Sequence, residues 1–315
     1  MLHLGIFGML TLIPAGTAEA VETLKLDEIH LRDPFILPVP EEGLYYLYGT
    51  GWRLPGGPGF MVYKSPDLVT WEGPYAAFEA PEGFASENYW APEVHAYRGR
   101  HYMLCTFKPR GEGGYRHTRI LVSDRPEGPY GFLTDGPATP EDWFCLDGTL
   151  YVDEAGSPWM VFCHEWVQVV DGEICAQRLT EDLKQAVGEP ILLFRASEAP
   201  WGHSNTGTER KGGVTDGPFL HRTAEGDLLM LWSSFGAGGY KLAVAHSQSG
   251  TIEGPWVQEP EPIFGDDGGH GMLFRRFDGR LMTTFHQPNR GPLERPRLFE
   301  VHEEGGSLRL EQWRP

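Results

Sequence analysis

Along this chain the apolar residues come in short runs of strand length, cut by Gly, Pro and acidic turns. No run reads as a long amphipathic helix. The runs recur in a fixed order: a small or polar head opens an apolar strand, a tight turn follows, and a second apolar strand returns. The first copy is Asp33–Leu37, turning at Glu41–Gly43 into Leu44–Tyr48. The others are Ala91–His95 into His101–Cys105, Asp147–Val152 into Pro158–Phe162, Asp216–Leu220 into Leu228–Trp232, and His270–Phe274 into Leu281–Phe285. A third strand with a Ser- or Thr-containing turn follows four copies, at Met61–Leu68, Ile120–Asp124, Cys175–Leu183 and Ala243–Ser247. Three of these run on through Glu-Gly-Pro-aromatic turns at Glu72, Glu127 and Glu253 to a fourth, outer strand. The fifth copy ends through Leu298–Val301 and a last strand over Leu308–Trp313.

The heads Asp33, Ala91, Asp147, Asp216 and His270 lie 58, 56, 69 and 54 residues apart. A unit of that length with about four short antiparallel strands is a propeller blade. The expected fold is therefore all-β, a five-bladed β-propeller forming one domain over residues 25–315. The long third gap allows an insertion near Ala199–Gly213. A β-sandwich would leave so long a repeat unexplained.

In a propeller the innermost strand of each blade lines the channel, so equivalent heads face one axis. Asp33, Asp147 and Asp216 then converge with His270. An Asp before Pro or Gly is ordinarily a turn residue. Recurrence at one position in three blades points instead to carboxylates gathered in one space, where like charges separate an acid from a base. Cleavage of a glycosidic bond needs such a pair. The Glu-Gly-Pro turns, placed after the third strand, read as structural.

Composition narrows the partner. Lys and Arg total 26 against 44 Asp and Glu, a formal net charge of -18, which disfavours nucleic acid and anionic membranes. A neutral oligo- or polysaccharide meets no such penalty. The ten Trp residues suit sugar stacking as well as packing. Cys105, Cys145, Cys163 and Cys175 form no C-x-x-C pair and read as inert thiols. Leu4–Ile13 is apolar, and Ala18-Glu19-Ala20 is similar to a cleavage site, but no Lys or Arg precedes the run. Residues 1–24 read as a signal or N-terminal extension, with a secreted or periplasmic location favoured over the cytoplasm. A monomer is expected.

Together, Arg32–Ile36, Trp90–Val94, Asp147–Asp153 and Gly269–Gly271 resemble glycoside hydrolase family 43 over nearly the whole chain from Leu31. The resemblance implies an inverting mechanism on α-L-arabinofuranosides or β-D-xylosides of plant-type glycans. It implies Asp33 as general base, Asp147 as modulator of the acid, and a Glu-Gly-Pro acid motif where this chain has Asp216-Gly217-Pro218. Asp is one methylene shorter than Glu. Three readings stand: Asp216 is still the acid, the acid comes from Glu209 or Glu93, or the site binds sugar without cleaving it. The first is preferred because the rest of the motif surrounds Asp216. An exo-acting arabinofuranosidase or xylosidase is expected, with an endo-acting arabinanase or xylanase as the alternative. Trp90, Glu93, His203, Glu209, Phe235, His286 and Arg295 are the candidate substrate contacts. Arg297 competes with Arg295 for the arginine that the resemblance implies here. No cofactor is required. His270 is the candidate metal ligand, for a structural calcium in the channel.

Overall fold

The computed structural model describes residues 23–51, 58–84, 86–110, 114–202 and 212–315. Each repeat folds into its own antiparallel sheet. Blade 1 holds β1 (Thr23–Lys25), β2 (Leu31–Val39), β3 (Leu44–Gly51), β4 (Gly59–Ser65) and β5 (Thr70–Glu79). Blade 2 holds β6 (Ser86–Tyr97), β7 (Arg100–Pro109), β8 (His117–Ser123) and β9 (Gly131–Phe132). Blade 3 holds β10 (Cys145–Val152), β11 (Pro158–His164), β12 (Glu173–Arg178) and β13 (Ile191–Arg195). Blade 4 holds β14 (Asp216–Arg222), β15 (Leu228–Gly236), β16 (Gly239–Ser247) and β17 (Trp256–Gln258). Blade 5 holds β18 (Gly269–Arg275), β19 (Leu281–Gln287), β20 (Arg295–Glu304) and β21 (Ser307–Gln312). Strands pair in chain order within blades 2 to 5, and β1 adds to the outer edge of blade 1 beside β5. The five-bladed propeller expected from the repeat is the fold observed, with one blade of five strands. The Glu-Gly-Pro turns at Glu72, Glu127 and Glu253 lie in or before the outer strands.

Apolar side chains on both faces of each sheet are buried between neighbouring blades. Leu104, Ile120, Met160 and Phe162 fill the space between blades 2 and 3, and Val161, Phe194, Trp232 and Ala243 that between blades 3 and 4. Leu231, Val244, Phe285 and Phe299 fill the space between blades 4 and 5. Each fully buried Leu or Phe contributes about 1.5–3 kcal/mol. The ring closes by packing and side-chain bonds, since β1 stays with its own blade. His30 Nδ1 meets Pro292 O at 2.9 Å, Arg295 Nε donates to Asp27 O at 2.8 Å, and the Phe277 amide donates to the Tyr45 hydroxyl at 2.9 Å. All four cysteines are free and buried.

One irregularity recurs in every blade. The innermost strand slips register at its head, between Arg32 and Phe35, Trp90 and Glu93, Leu146 and Thr149, Asp216 and Phe219, and Gly269 and Met272. The first residue of each bulge is left-handed: Asp33 (φ 49°), Ala91 (45°), Asp147 (55°), Gly217 (50°) and His270 (56°). This conformation costs a residue with a Cβ about 1–2 kcal/mol. The ring's fourth member is thus Gly217, which corrects the expected head at Asp216. A Cβ on residue 217 would stand 2.7 Å from His270 Cδ2. Only glycine fits there, and Asp216 occupies the preceding position, equivalent to Arg32, Trp90, Leu146 and Gly269.

The heads are tied from blade to blade. Thr50 Oγ1 accepts the Ala91 amide at 2.7 Å, Thr106 Oγ1 that of Asp147 at 3.1 Å, Ser233 Oγ that of His270 at 2.8 Å, and His286 Nδ1 that of Asp33 at 3.2 Å. Between blades 3 and 4 the equivalent second-strand residue is Cys163. There the Gly217 amide donates to the Asp147 carboxylate, with Oδ2 at 3.0 Å. The strained bulges are held by bonds from neighbouring blades, the condition under which such strain persists.

Candidate active site

At this end of the channel Asp33, Asp147 and His270 meet. Asp33 Oδ1 lies 3.2 Å from His270 Nδ1 and 3.9 Å from Arg32 Nε, and its Oδ2 accepts the Thr50 hydroxyl at 2.7 Å. Burial pushes this carboxyl up, but His270 and Arg32 outweigh it and hold the pKa at about 2. Asp33 is therefore ionised at any working pH. His286, fully buried, receives the Asp33 amide on Nδ1 and so carries its proton on Nε2, 3.1 Å from Asn289 Oδ1. Its partners enforce the neutral tautomer, and burial takes its pKa down to about 4.

Asp147 and Asp216 shift the other way. Burial raises Asp147 to about 8, with the charges of Asp216 and Asp33 adding to it against the pull of His270. Burial also raises Asp216, while His270 and the Tyr240 hydroxyl, which donates to Asp216 Oδ2 at 2.8 Å, pull it down. Neighbouring carboxyls of this kind titrate together, and both are shifted toward the protonated form. For His270 burial works against the charged form, but Asp33, Asp147 and Asp216 prevail and raise it. The site thus gathers around one imidazole a carboxyl held low, Asp33, and two pushed upward, Asp147 and Asp216, a separation suited to acid–base chemistry on one substrate.

These groups open into a pocket of about 1000 Å³ whose lining includes Arg32, Trp90, Arg116, Glu165, Trp166, Phe235 and Tyr240. On the side of blades 2 and 3, Arg116 pairs with both carboxylate oxygens of Glu165, donates Nε to Asn88 Oδ1 at 3.2 Å and lies 4.8 Å from the Trp90 ring centroid. Glu165 precedes the short helix α1 (Trp166–Val169) and is buried.

Of the expected contacts, Trp90 and Phe235 line this pocket. Glu93 does not. It is buried in the channel and paired with His95 Nε2 at 3.1 Å, so it is placed neither as a pocket wall nor as an alternative acid. His286 lies behind Asp33, where it anchors the backbone and cannot meet substrate. Arg295 is turned to the closure seam, with Nη2 2.8 Å from His30 Nε2. The adjacent Glu294 reaches the site instead, through Arg32 Nη1 at 3.0 Å. Neither Arg295 nor Arg297 is among the lining residues. His203 and Glu209 fall outside the described residues. His270 turns Nδ1 to Asp33 and Asp147, and no group of three or more His, Cys, Asp or Glu among the described residues could hold a metal. No step below uses a metal.

Sequence reasoning missed Thr50, Arg116, Glu165 and Tyr240. Thr50 carried a signal, since a hydroxyl recurs near the end of the second strand at Thr106 and Ser233. Arg116, Glu165 and Tyr240 sit on loops and third strands that the head repeat does not index.

Comparison with known proteins agrees with this geometry. The sequence profile of Glycosyl hydrolases family 43 matches residues 28–309. The fold superposes on the crystal structure of an endo-arabinase from Bacteroides thetaiotaomicron with a TM-score of 0.83 and 45% identity, covering 92% of this chain and 100% of that one. The extracellular exo-α-(1→5)-L-arabinofuranosidase ArbA of Cellvibrio japonicus is 23% identical over 266 residues, 78% of this chain and 72% of that protein. The extracellular endo-α-(1→5)-L-arabinanase 1 of Bacillus subtilis is 24% identical over 272 residues, 81% of this chain and 76% of that protein. With the repeat, the bulged ring and a profile match spanning nearly all of the propeller in agreement, the chain belongs to glycosyl hydrolases family 43 and is a glycosidase that hydrolyses glycosidic bonds.

Proposed function

We propose that the protein is an inverting hydrolase of α-L-arabinofuranosyl linkages in arabinan-type glycans. Asp33 acts as general base, Asp216 as general acid and Asp147 as modulator. The observation that carries this reading is the convergence of Asp33, Asp147 and Asp216 with His270 in one pocket, with Asp33 shifted down and the other two carboxyls shifted up. Asp33 takes a proton from water as the water attacks the anomeric carbon. Asp216 gives its proton to the leaving oxygen as the glycosidic bond breaks. Asp147, which accepts the Gly217 amide, holds the backbone beside the acid, and exchange with solvent takes the proton from Asp33 and restores that of the acid. Ionised before the step, Asp33 orients the water and counters the positive charge growing on the sugar ring until it accepts the proton.

The sequence favours exo action. A second reading, endo cleavage, draws support from the 45% identity to a protein titled endo-arabinase and from a pocket at the upper end of the size range for ligand sites. The names of two relatives include "extracellular", which suits an exported glycan-degrading enzyme. No helix among the described residues is long and apolar enough to cross a membrane. The test is incubation with linear α-1,5-arabinan and with aryl α-L-arabinofuranoside and β-D-xyloside, followed by chromatography and NMR. Arabinose alone supports exo action, and a ladder of oligosaccharides supports endo action. A first-formed sugar with inverted anomeric configuration supports the mechanism, and retention overturns it. Activity confined to the xyloside would overturn the arabinofuranosyl assignment.

A further inference from the structure

A chain of hydrogen bonds runs from the backbone of Asp33 to the carboxylate of Asp216 through residues that sequence reasoning did not connect. The Asp33 amide donates to His286 Nδ1, and His286 Nε2 to Asn289 Oδ1 at 3.1 Å. The Asn289 amide donates to the backbone oxygen of Asp267 at 2.9 Å and lies 3.3 Å from its Oδ2. Asp267 Oδ1 accepts the Tyr240 amide at 3.2 Å, and the Tyr240 hydroxyl donates to Asp216 Oδ2 at 2.8 Å. The Tyr240 ring also stacks on His286, with centroids 5.6 Å apart and planes at 17°. Glycines on either side make the fit obligatory. A Cβ on Gly239 would stand 2.5 Å from Asp267 Oδ1, and one on Gly269 2.7 Å from Tyr240 Cε1.

We infer that Tyr240, held by Asp267 and by the His286 ring, is a positioning residue for the general acid: it occupies Asp216 Oδ2 and so leaves Oδ1 to carry the proton delivered to the leaving group. This rests on Asp216 being the acid. A phenol O–H that donates to one carboxyl oxygen makes that oxygen the acceptor, and the acid proton goes to the other. It also fixes rotation of a carboxyl one methylene shorter than the Glu that the resemblance implies, and acid catalysis falls steeply with such misplacement. The groups facing Asp216 are Tyr240 from β16, His270 from β18, Asp33 and Arg32 from β2, Asp147 from β10, and Cys163 and Glu165 from β11 and its end. Of these, Tyr240 is the one whose side-chain hydrogen bond favours the ionised Asp216.

The test uses Tyr240→Phe, Asp267→Asn and Asp216→Asn on two aryl α-L-arabinofuranosides, one with a dinitrophenyl leaving group that needs no acid and one with a poor alkylphenyl leaving group. Full pH profiles of kcat/KM and thermal midpoints accompany the rates. Asp216→Asn is expected to keep most activity on the activated substrate and lose ~10²–10⁴-fold on the poor one. Tyr240→Phe is expected to show the same pattern at roughly 10–10²-fold, with its alkaline limb moved to higher pH, because the lost donor had favoured the carboxylate. Asp267→Asn is expected to do so more weakly. Equal losses on both substrates in Asp216→Asn would remove the acid assignment itself. Leaving-group dependence in Asp216→Asn, with none in Tyr240→Phe and an unmoved alkaline limb, would overturn the positioning role while leaving the acid in place. A Tyr240→Phe protein with a depressed thermal midpoint but unchanged leaving-group dependence would also overturn it, and Asp267→Asn would then be expected to behave likewise.

Discussion

Blades 1 and 4 make the same bulge and use it in opposite ways. Blade 1 puts its carboxylate on the left-handed residue, Asp33, and an arginine, Arg32, one residue earlier. Blade 4 puts glycine on the left-handed residue, Gly217, and its carboxylate, Asp216, one residue earlier. The one-residue offset decides which neighbours each carboxylate meets. Asp33 is turned into the ring, against His270 and within reach of Arg32, and is driven to about 2. Asp216 meets a phenol rather than a cation at hydrogen-bonding distance, and burial carries it upward. The two aspartates thus shift in opposite directions through their neighbours, and the offset is not the whole cause, since Asp147 on the ring also rises, under burial and where Asp216 and Asp33 face it and Arg32 does not. In the proposed mechanism, acid and base come from one repeated motif without different residue types.

The largest expected effect comes from removing either carboxylate. Asp33→Asn should lower kcat on arabinan by ~10³-fold or more, and an active Asn variant would break the comparison at its base half. The same variant should be less stable above pH 4. A carboxyl depressed on folding contributes stability above its unfolded pKa and loses it as pH falls toward 2. The shift from 3.8 to about 2 corresponds to about 2 kcal/mol, readable by denaturant titration. Moving the blade 4 carboxylate onto the ring, with Asp216→Gly and Gly217→Asp together, should abolish activity as completely as Asp216→Asn does on unactivated substrate. Rates near wild type would mean that the offset is incidental.

Gly217→Ala comes next. The added Cβ meets His270 at 2.7 Å in a left-handed backbone. Strain and overpacking should cost about 2–4 kcal/mol and roughly 10–10²-fold in rate, measured by thermal melts and kinetics. The conservative counterpart in blade 1, Asp33→Asn, keeps a residue that tolerates φ > 0, so its loss should be chemical more than conformational.

The smallest effects are pH-dependent. With Asp33 ionised throughout, kcat/KM should hold on the acid side down to about pH 4 and fall on the alkaline side as the Asp147–Asp216 pair loses its proton, near the value of about 8 for Asp147. A carboxyl raised on folding contributes its stability below its unfolded pKa and loses it as pH climbs through the folded value. Asp147→Asn should therefore gain thermal midpoint relative to wild type as pH rises from 5 to 8, while losing activity. A midpoint difference that stays flat with pH would show that Asp147 is not carrying a proton.

Several misplacements in the sequence reading share one cause. Glu93, His286 and Arg295 stand close in the chain to channel-lining strands, but the bulge and the pleat decide on which side of the backbone each emerges. Glu93 follows the bulge and faces His95 down the channel. His286 ends β19 behind Asp33, and Arg295 opens β20 facing the seam. Asp216 was placed on the ring because its motif aligned with the other heads by residue type, while its backbone aligns by conformation. Tyr240, Arg116 and Glu165 belong to no repeat and approach the pocket from other strands and loops.

The amino-acid sequence by itself determined the number of blades, the strand order within each, the structural place of the Glu-Gly-Pro turns, and the meeting of Asp33, Asp147 and His270 at one axis. All follow from a repeat that returns equivalent residues to equivalent positions. Only the tertiary structure decided that Gly217 completes the ring, that His270 leaves no room for a side chain there, and that Tyr240 faces Asp216. It alone also set the opposite directions in which the two carboxyls are shifted. Those outcomes depend on contacts between blades at distances of about 3 Å, and on burial that no single repeat possesses until all five have closed into a ring.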